Sequence, residues 1–293
     1  MPWLILASAM NNLFRKTPLG RLFRHRSGTF GLVLVLLYLI IAVFAGILAP
    51  YSPIDQHPKD RLQPPSSAYV LGTDEFGRDI LSRLMFGASN SLKVSLVSVA
   101  ISGLLGTVIG TVAGFYGGWV DNVFMRFMDL IFAFPAILLA LAISAALGPG
   151  LNNTIIAISI VYMPIFSRVA RGSVLQIKEL EYIEATRALG SSHSRLILRH
   201  ILPNSFTPTI VQISLALSWA MLTEASLSFL GLGTIPPDPS WGSMLSEARI
   251  MMELAPWMAI APGIAIMLGI LGFNLLGDGL RDILDPHLRS MVN

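Results

Sequence analysis

Phe30-Gly-Leu-Val-Leu-Val-Leu-Leu-Tyr-Leu-Ile-Ile-Ala-Val-Phe-Ala-Gly-Ile-Leu-Ala49 carries no charged residue. A run of about 20 apolar residues is the length of an α-helix that crosses the hydrocarbon core of a bilayer. Five further apolar runs follow, at about 94–115, 123–147, 153–169, 206–230 and 257–276. Hydrophobic residues make up 54% of the 293 residues and charged residues only 13%. That charged share is about half of what a soluble domain carries. The expected fold is an all-α polytopic membrane protein with six transmembrane helices.

Charge placement orients the helices. Residues 1–28 open with an apolar run, Pro2–Met10, and the basic residues Arg15, Lys16, Arg21, Arg24 and Arg26 come after it. A secretory signal has the opposite order, so 1–28 reads as an amphipathic cytoplasmic segment lying on the membrane surface. Six crossings then return the C-terminus, with its tail 277–293, to the cytoplasm. With both termini inside, the cytoplasmic segments hold 13 basic residues and the outer loops 6, which agrees with the positive-inside bias. Membrane orientation accounts for the basic residues, and no nucleic-acid partner is needed. Residues 29–289 form the transmembrane domain, with outer loops at 54–90 and 231–256.

Several residues within the spans stand out. Gly106, Gly110 and Gly114, with Ser102 one step earlier, recur every four residues on one helix face. Such a stripe lets a second helix approach closely in lipid. Pro135 and Pro164 each remove a helix hydrogen bond and are expected to kink their segments. Arg126 and Asp129 lie one turn apart and are expected to pair locally; they are also candidates for a pathway or gate. Glu224, ~27 Å along its helix at 1.5 Å per residue, is placed near the outer face, where it would meet water. It is a third pathway candidate, because a charge at membrane depth is costly without a function or a partner.

One charged stretch interrupts the apolar chain, from Ser173 to Asn204. Val174, Ile177, Leu180, Ala185, Ala188 and Leu189 recur at helical spacing, and Gly190 suits a left-handed helix C-terminus. A second helical run extends from Ser192 to Leu202, before Pro203. The stretch therefore predicts two short amphipathic helices joined at Gly190 on the cytoplasmic side. They serve either as a docking device or as a pair lying on lipid. On the exposed face Glu184 with Arg187, and Lys178 with Glu181, stand at pairing distance.

Enzymatic signatures are missing. None of the four lysines lies in a phosphate-binding glycine loop, and no nucleophile elbow or zinc-protease motif occurs. Cysteine is absent, and the five histidines lack metal-ligand grouping. The chain is expected to be no enzyme and to bind no metal. Two transport classes remain. A gradient-driven secondary transporter or channel would show inverted repeats and an acidic relay, but no convincing internal repeat occurs and Glu224 has no acidic companion.

The Glu184-Ala-Thr…Gly190…Ile201-Leu-Pro203 spacing resembles the Glu-Ala-Ala loop of ATP-binding-cassette importer permeases. Leu71-Gly-Thr-Asp-Glu-Phe-Gly-Arg-Asp79, Glu224-Ala-Ser-Leu-Ser-Phe-Leu-Gly-Leu-Gly233, Pro239-Ser-Trp-Gly242 and Phe273-Asn-Leu-Leu-Gly-Asp-Gly-Leu-Arg-Asp282 narrow the likeness. These stretches are similar to the C-type permease of dipeptide, oligopeptide and nickel importers. Thr186 stands in place of the second alanine, and Ser89 where the pattern has an arginine. The resemblance implies a type I importer permease whose 173–204 loop docks on an ATPase through Glu181, Glu184, Ala185, Thr186, Ala188, Leu189, Gly190, Ile201, Leu202 and Pro203. It also implies a homologous second permease in a heterodimer and two ATPase subunits that hold ATP and Mg2+, this chain binding no cofactor. A periplasmic or lipid-anchored binding protein would deliver the solute. Asp74, Arg78, Asp79 and Trp241 in the outer loops are candidate contacts for it, although the same charges suit a self-satisfying turn network.

Overall fold

A computed structural model describes residues 25–284. The readings of the N-terminal segment before residue 25, and of Asp285 to Asn293, lie outside the described residues. Ten α-helices occur in this range: α1 (Arg26–Leu48), α2 (Ile80–Tyr116), α3 (Gly118–Phe132), α4 (Ala136–Leu147), α5 (Leu151–Lys178), α6 (Glu181–Ala188), α7 (His193–Leu196), α8 (Leu202–Phe229), α9 (Trp241–Met251) and α10 (Trp257–Leu284). A π-helical turn, Ile197–Ile201, joins α7 to α8 without a break in direction. Five helical stretches are long and apolar enough to span a membrane, and α3 with α4 makes a sixth if taken as one bent span.

The glycine stripe organises the bundle. Gly106, Gly110 and Gly114 of α2 face α5, and a Cβ on Gly106 or Gly110 would strike the carbonyls of Met163 or Ser167. Backbone therefore packs against backbone along this crossing. Close approach of this kind is how helices associate where lipid is as apolar as the side chains. The main core gathers on this pair from α1, α4, α8, α9 and α10, with Phe166, Met221 and Trp241 among its largest buried side chains.

The observed boundaries differ from the expected ones, and each difference has a cause. The second span starts at Ile80, well before residue 94, because Asp79 caps it by accepting from the Ser82 backbone N–H at 2.8 Å. Arg83 then enters the protein interior with its charge matched. The third span is not one kinked helix. At Ala133–Pro135 it turns by 89°, splitting into α3 and α4. Pro164, by contrast, lies inside the unbroken α5. The outer loop 231–256 contains α9, whose start is held by reciprocal bonds: Ser243 N–H donates to Ser240 Oγ at 3.2 Å, and Ser240 N–H to Ser243 Oγ at 2.9 Å. Residues 277–284, expected in the tail, complete α10, and Asp282 contacts His25 at 3.0 Å.

Candidate coupling site and charged clusters

The charged stretch does not form one helix from Ser173 to Leu189. The transmembrane helix α5 runs on to Lys178, the chain turns at Glu179 and the extended Leu180, and α6 begins at Glu181. No glycine or proline marks this turn. Its cause is tertiary: Ile183 is fully buried in a small cluster with Phe115 of α2, Val174 and Ile177 of α5, Leu196 of α7 and Ile201 of the π-helical turn. Ile183 is the only buried residue of α6.

Gly190 ends α6 as expected. It takes φ +81°, its N–H donates to Arg187 O at 3.0 Å, and the Ser191 N–H donates to Thr186 O at 3.3 Å. These two bonds are the Schellman pattern, in which a left-handed residue satisfies the last carbonyls of a helix. Ser192 then caps α7 by accepting from the Arg195 N–H. Glu181, Glu184, Ala185, Ala188, Leu189 and Gly190 are exposed, and Leu189 is 88% exposed. Thr186 is half-buried and donates to Tyr182 O at 2.6 Å. On the following limb Ile201 is buried, Leu202 half-buried and Pro203 exposed. Tyr182 Oη accepts from Asn204 Nδ2 at 3.1 Å and ties the two limbs together.

The expected surface pairs do not form. Glu184 and Arg187 share no ion pair, and Lys178 turns from Glu181 to donate to Gly114 O at 3.2 Å, near the end of α2. A surface pair adds little energy, whereas carbonyls near a helix end lack partners and attract a cation.

Arg126 and Asp129 likewise do not pair. Asp129 accepts from Arg168 Nη2 at 2.7 Å, and Arg171 grips Asp121 by two bonds, both 2.6 Å. Arg168 and Arg171 both come from α5, so they fasten α3 to that helix. The five charged residues line one polar cleft of about 340 Å³, with Asn122 and Met125. Proximity in sequence loses here to a helix crossing that places an arginine of another helix directly against the carboxylate.

Glu224 is not at a watery entrance. It is 1% exposed, its Oε1 accepts from Ser228 Oγ at 2.7 Å, and Ser91 and Ser240 lie beside the same carboxyl. The α9 segment folds over this end of α8 and removes it from water.

Asp74, Arg78, Asp79 and Trp241 are all buried as well, so they are internal ties and not side chains offered to a partner. Asp74 accepts from the N–H groups of Phe76 and Arg78, each at 2.9 Å, and from Arg78 Nε at 2.5 Å. Glu247 Oε2 of α9 accepts from both Arg78 and Arg83 at 2.8 Å. Trp241 donates to Leu84 O at 3.0 Å and meets Tyr38 edge-on at 5.3 Å. The turn network of Gly72–Asp79 forms around Asp74, but it is not self-satisfying, because Arg78 also pairs with Glu247 of α9. Glu247 lies 164 residues from Arg83, and no local pattern pointed to it.

Two family models match the chain. One describes the binding-protein-dependent transport system inner membrane component and covers residues 106–290; the other describes the N-terminal TM domain of oligopeptide transport permease C and covers residues 14–65. The chain belongs to this permease family. It is 46% identical over 270 residues to a dipeptide transport system permease protein of Alkalihalophilus pseudofirmus, across 92% of this chain and 89% of that one. Identity is also 46% over 271 residues to a glutathione transport system permease protein of Pectobacterium atrosepticum, across 92% and 90%. A di/tripeptide transport system permease protein of Pseudomonas aeruginosa matches at 46% over 275 residues, across 92% and 91%. In fold the permease is similar to the inward-facing MetNI methionine ABC transporter, with a TM-score of 0.56 at 16% identity, covering 69% of this chain and 96% of that one. It is thus a multi-pass inner-membrane transport subunit and not an enzyme, and the family membership favours the importer over the gradient-driven alternative.

Proposed function

We propose that this permease forms half of the translocation pathway of an ATP-driven importer and receives the motion of an ATPase subunit through α6. The observation that carries the reading is the way α6 is mounted. It joins two spanning helices, leaves almost all of its surface uncovered, and is anchored to the body by the single buried side chain of Ile183. A helix with one buried residue cannot be stable by itself, and Leu180, Tyr182, Leu189 and Leu198 are all exposed around it, a group of apolar side chains rimmed by charged ones of the kind that marks a docking surface. Glu181, Glu184, Ala185, Thr186, Ala188, Leu189 and Gly190 form the surface that a partner would cover, and Ile201, Leu202 and Pro203 form the limb that returns the motion to α8. In this reading ATP and Mg2+ are held by two partner ATPases, and a second, homologous permease completes the pathway. A periplasmic or lipid-anchored binding protein delivers a small peptide or related solute. The named relatives support the peptide and glutathione class. Both termini lie in the cytoplasm, which puts α6 on the ATPase side.

The test is Gly190→Val. At φ +81° a β-branched residue is strained by about 1–2 kcal/mol, while a Cβ there meets only open space within the chain. The chain should insert and assemble normally. Uptake of a radiolabelled dipeptide mixture in vesicles should fall about tenfold, the effect of raising the barrier of the coupled step by about 1.4 kcal/mol. Uptake at the wild-type rate would rule out the coupling role of this turn.

A further inference from the structure

The helix α3 is built to move. Only Met128 of its fifteen residues is buried. Both of its ends are breaks: Gly117 and Gly118 take φ +65° and +55° with open space around them, and at the other end the chain turns by 89° at Ala133–Pro135. Between these breaks α3 is held to α5 by Arg171 on Asp121 and Arg168 on Asp129. Arg168 also stacks over Phe132, 4.1 Å from the ring centroid. Both partners of the second pair are substantially exposed, at 42% and 54%. Exposed pairs bind weakly, so this one can release without a large penalty.

Asp129 has a second cation within reach. Arg126 sits three residues earlier on the same helix, lines the same cleft, and forms no ion pair among the described residues. Residues three apart on a helix are surface neighbours. Arg171 of the same cleft is taken up by Asp121 through two bonds, so the Asp129 carboxylate is left with two arginine partners, Arg168 on the helix it is latched to and Arg126 on its own helix.

We propose that Asp129 is a two-position switch. Bound to Arg168, it latches the proline end of α3 against α5; bound to Arg126, it leaves α3 held to α5 by ion pairing only through Asp121 and Arg171, near its glycine end, so that the proline end can swing. The inference rests on the importer reading, because nucleotide-driven movement of α5 is what selects between the two partners. Two positioning residues then act in opposite directions on one group: Arg168 favours the latched state and Arg126 the released one. A merely structural pair would not behave in this way.

The chain lacks cysteine, so spin labels at Val123→Cys and Leu105→Cys, both exposed, report the α3–α2 distance once any cysteines of the partner subunits are replaced by serine. The measurement uses the assembled importer in lipid nanodiscs, nucleotide-free and after trapping with ADP–vanadate. The wild type should give one distance in each state. Arg168→Ala should give the trapped-state distance without nucleotide, and Arg126→Ala should keep the nucleotide-free distance after trapping. Arg168→Lys, which retains the charge, should behave as wild type. A single wild-type distance in both states overturns the proposal, as do shifts of the same sign, or no shift, in the two alanine variants. A complex that hydrolyses no ATP overturns the importer reading and this inference together. Hydrolysis with an unresponsive α3 overturns this inference alone.

Discussion

Replacing Gly110 with leucine should leave almost no folded permease in the membrane. An ideal Cβ at this position lies 2.1 Å from Ser167 O and 2.9 Å from Ser167 C. Both are backbone atoms of α5 and cannot turn aside as a side chain would. The helices must separate, and that separation uncovers the contacts at Gly106 and Gly114 as well, where a Cβ also meets α5. Overpacking a well-filled interior costs about 1–3 kcal/mol where side chains can adjust. With backbone on the far side the cost should reach about 4–5 kcal/mol, the upper end for single substitutions. Gly46→Leu is the control, because nothing lies within 4 Å of its Cβ position; it should change stability by less than about 0.5 kcal/mol. Membrane yield and thermal unfolding in detergent measure both. A Gly110→Leu protein that melts with the wild type would show that the α2–α5 crossing is looser than described.

The second large effect is expected at Asp74. Its carboxylate serves two backbone N–H groups and Arg78, and Arg83 Nε lies 3.5 Å away. The side chains of Arg78 and Arg83 are only 4% and 1% exposed. Asp74→Ala would leave Glu247 as the one carboxylate facing two buried guanidinium groups. Removing one partner of a buried ionic network costs about 3–5 kcal/mol, because the remaining charges stay buried without compensation. The loss should appear as a lower unfolding temperature and as faster proteolysis of the 54–79 loop. Asp74→Asn keeps an acceptor for the backbone N–H groups and should fall between the two. If Asp74→Ala unfolds with the wild type, the outer cap does not depend on this network.

Much of the architecture was legible before any coordinates because its causes are local or periodic. Uncharged runs of membrane length are helices in lipid whatever surrounds them. Three glycines at four-residue spacing face one way on any helix, so the close α2–α5 crossing could be anticipated, though not which helix would fill it. Gly190 could be read as a left-handed helix end because it follows a helical run directly, and the bonds to Arg187 and Thr186 are made within six residues.

What could not be read depends on residues far apart in the chain. The turn at Leu180 exists because Ile183 is buried with Phe115 and Ile201, and no local signal breaks that helix. Arg83 falls within the expected outer loop 54–90, and Glu247 is what brings it inside. Asp129 was paired with its nearest sequence neighbour, and the fold gave it Arg168 instead. Glu224 was placed where water would reach it, and α9 excludes the water. Hydropathy and ordered motifs are properties of short segments, so the membrane class, the approximate places of the spans and the family follow from the residues alone, while the start at Ile80 and the break at Ala133–Pro135 do not. The partners of the buried charges depend on the fold, because in a low-dielectric interior a charge must find its counterion in space, however far away in sequence it lies.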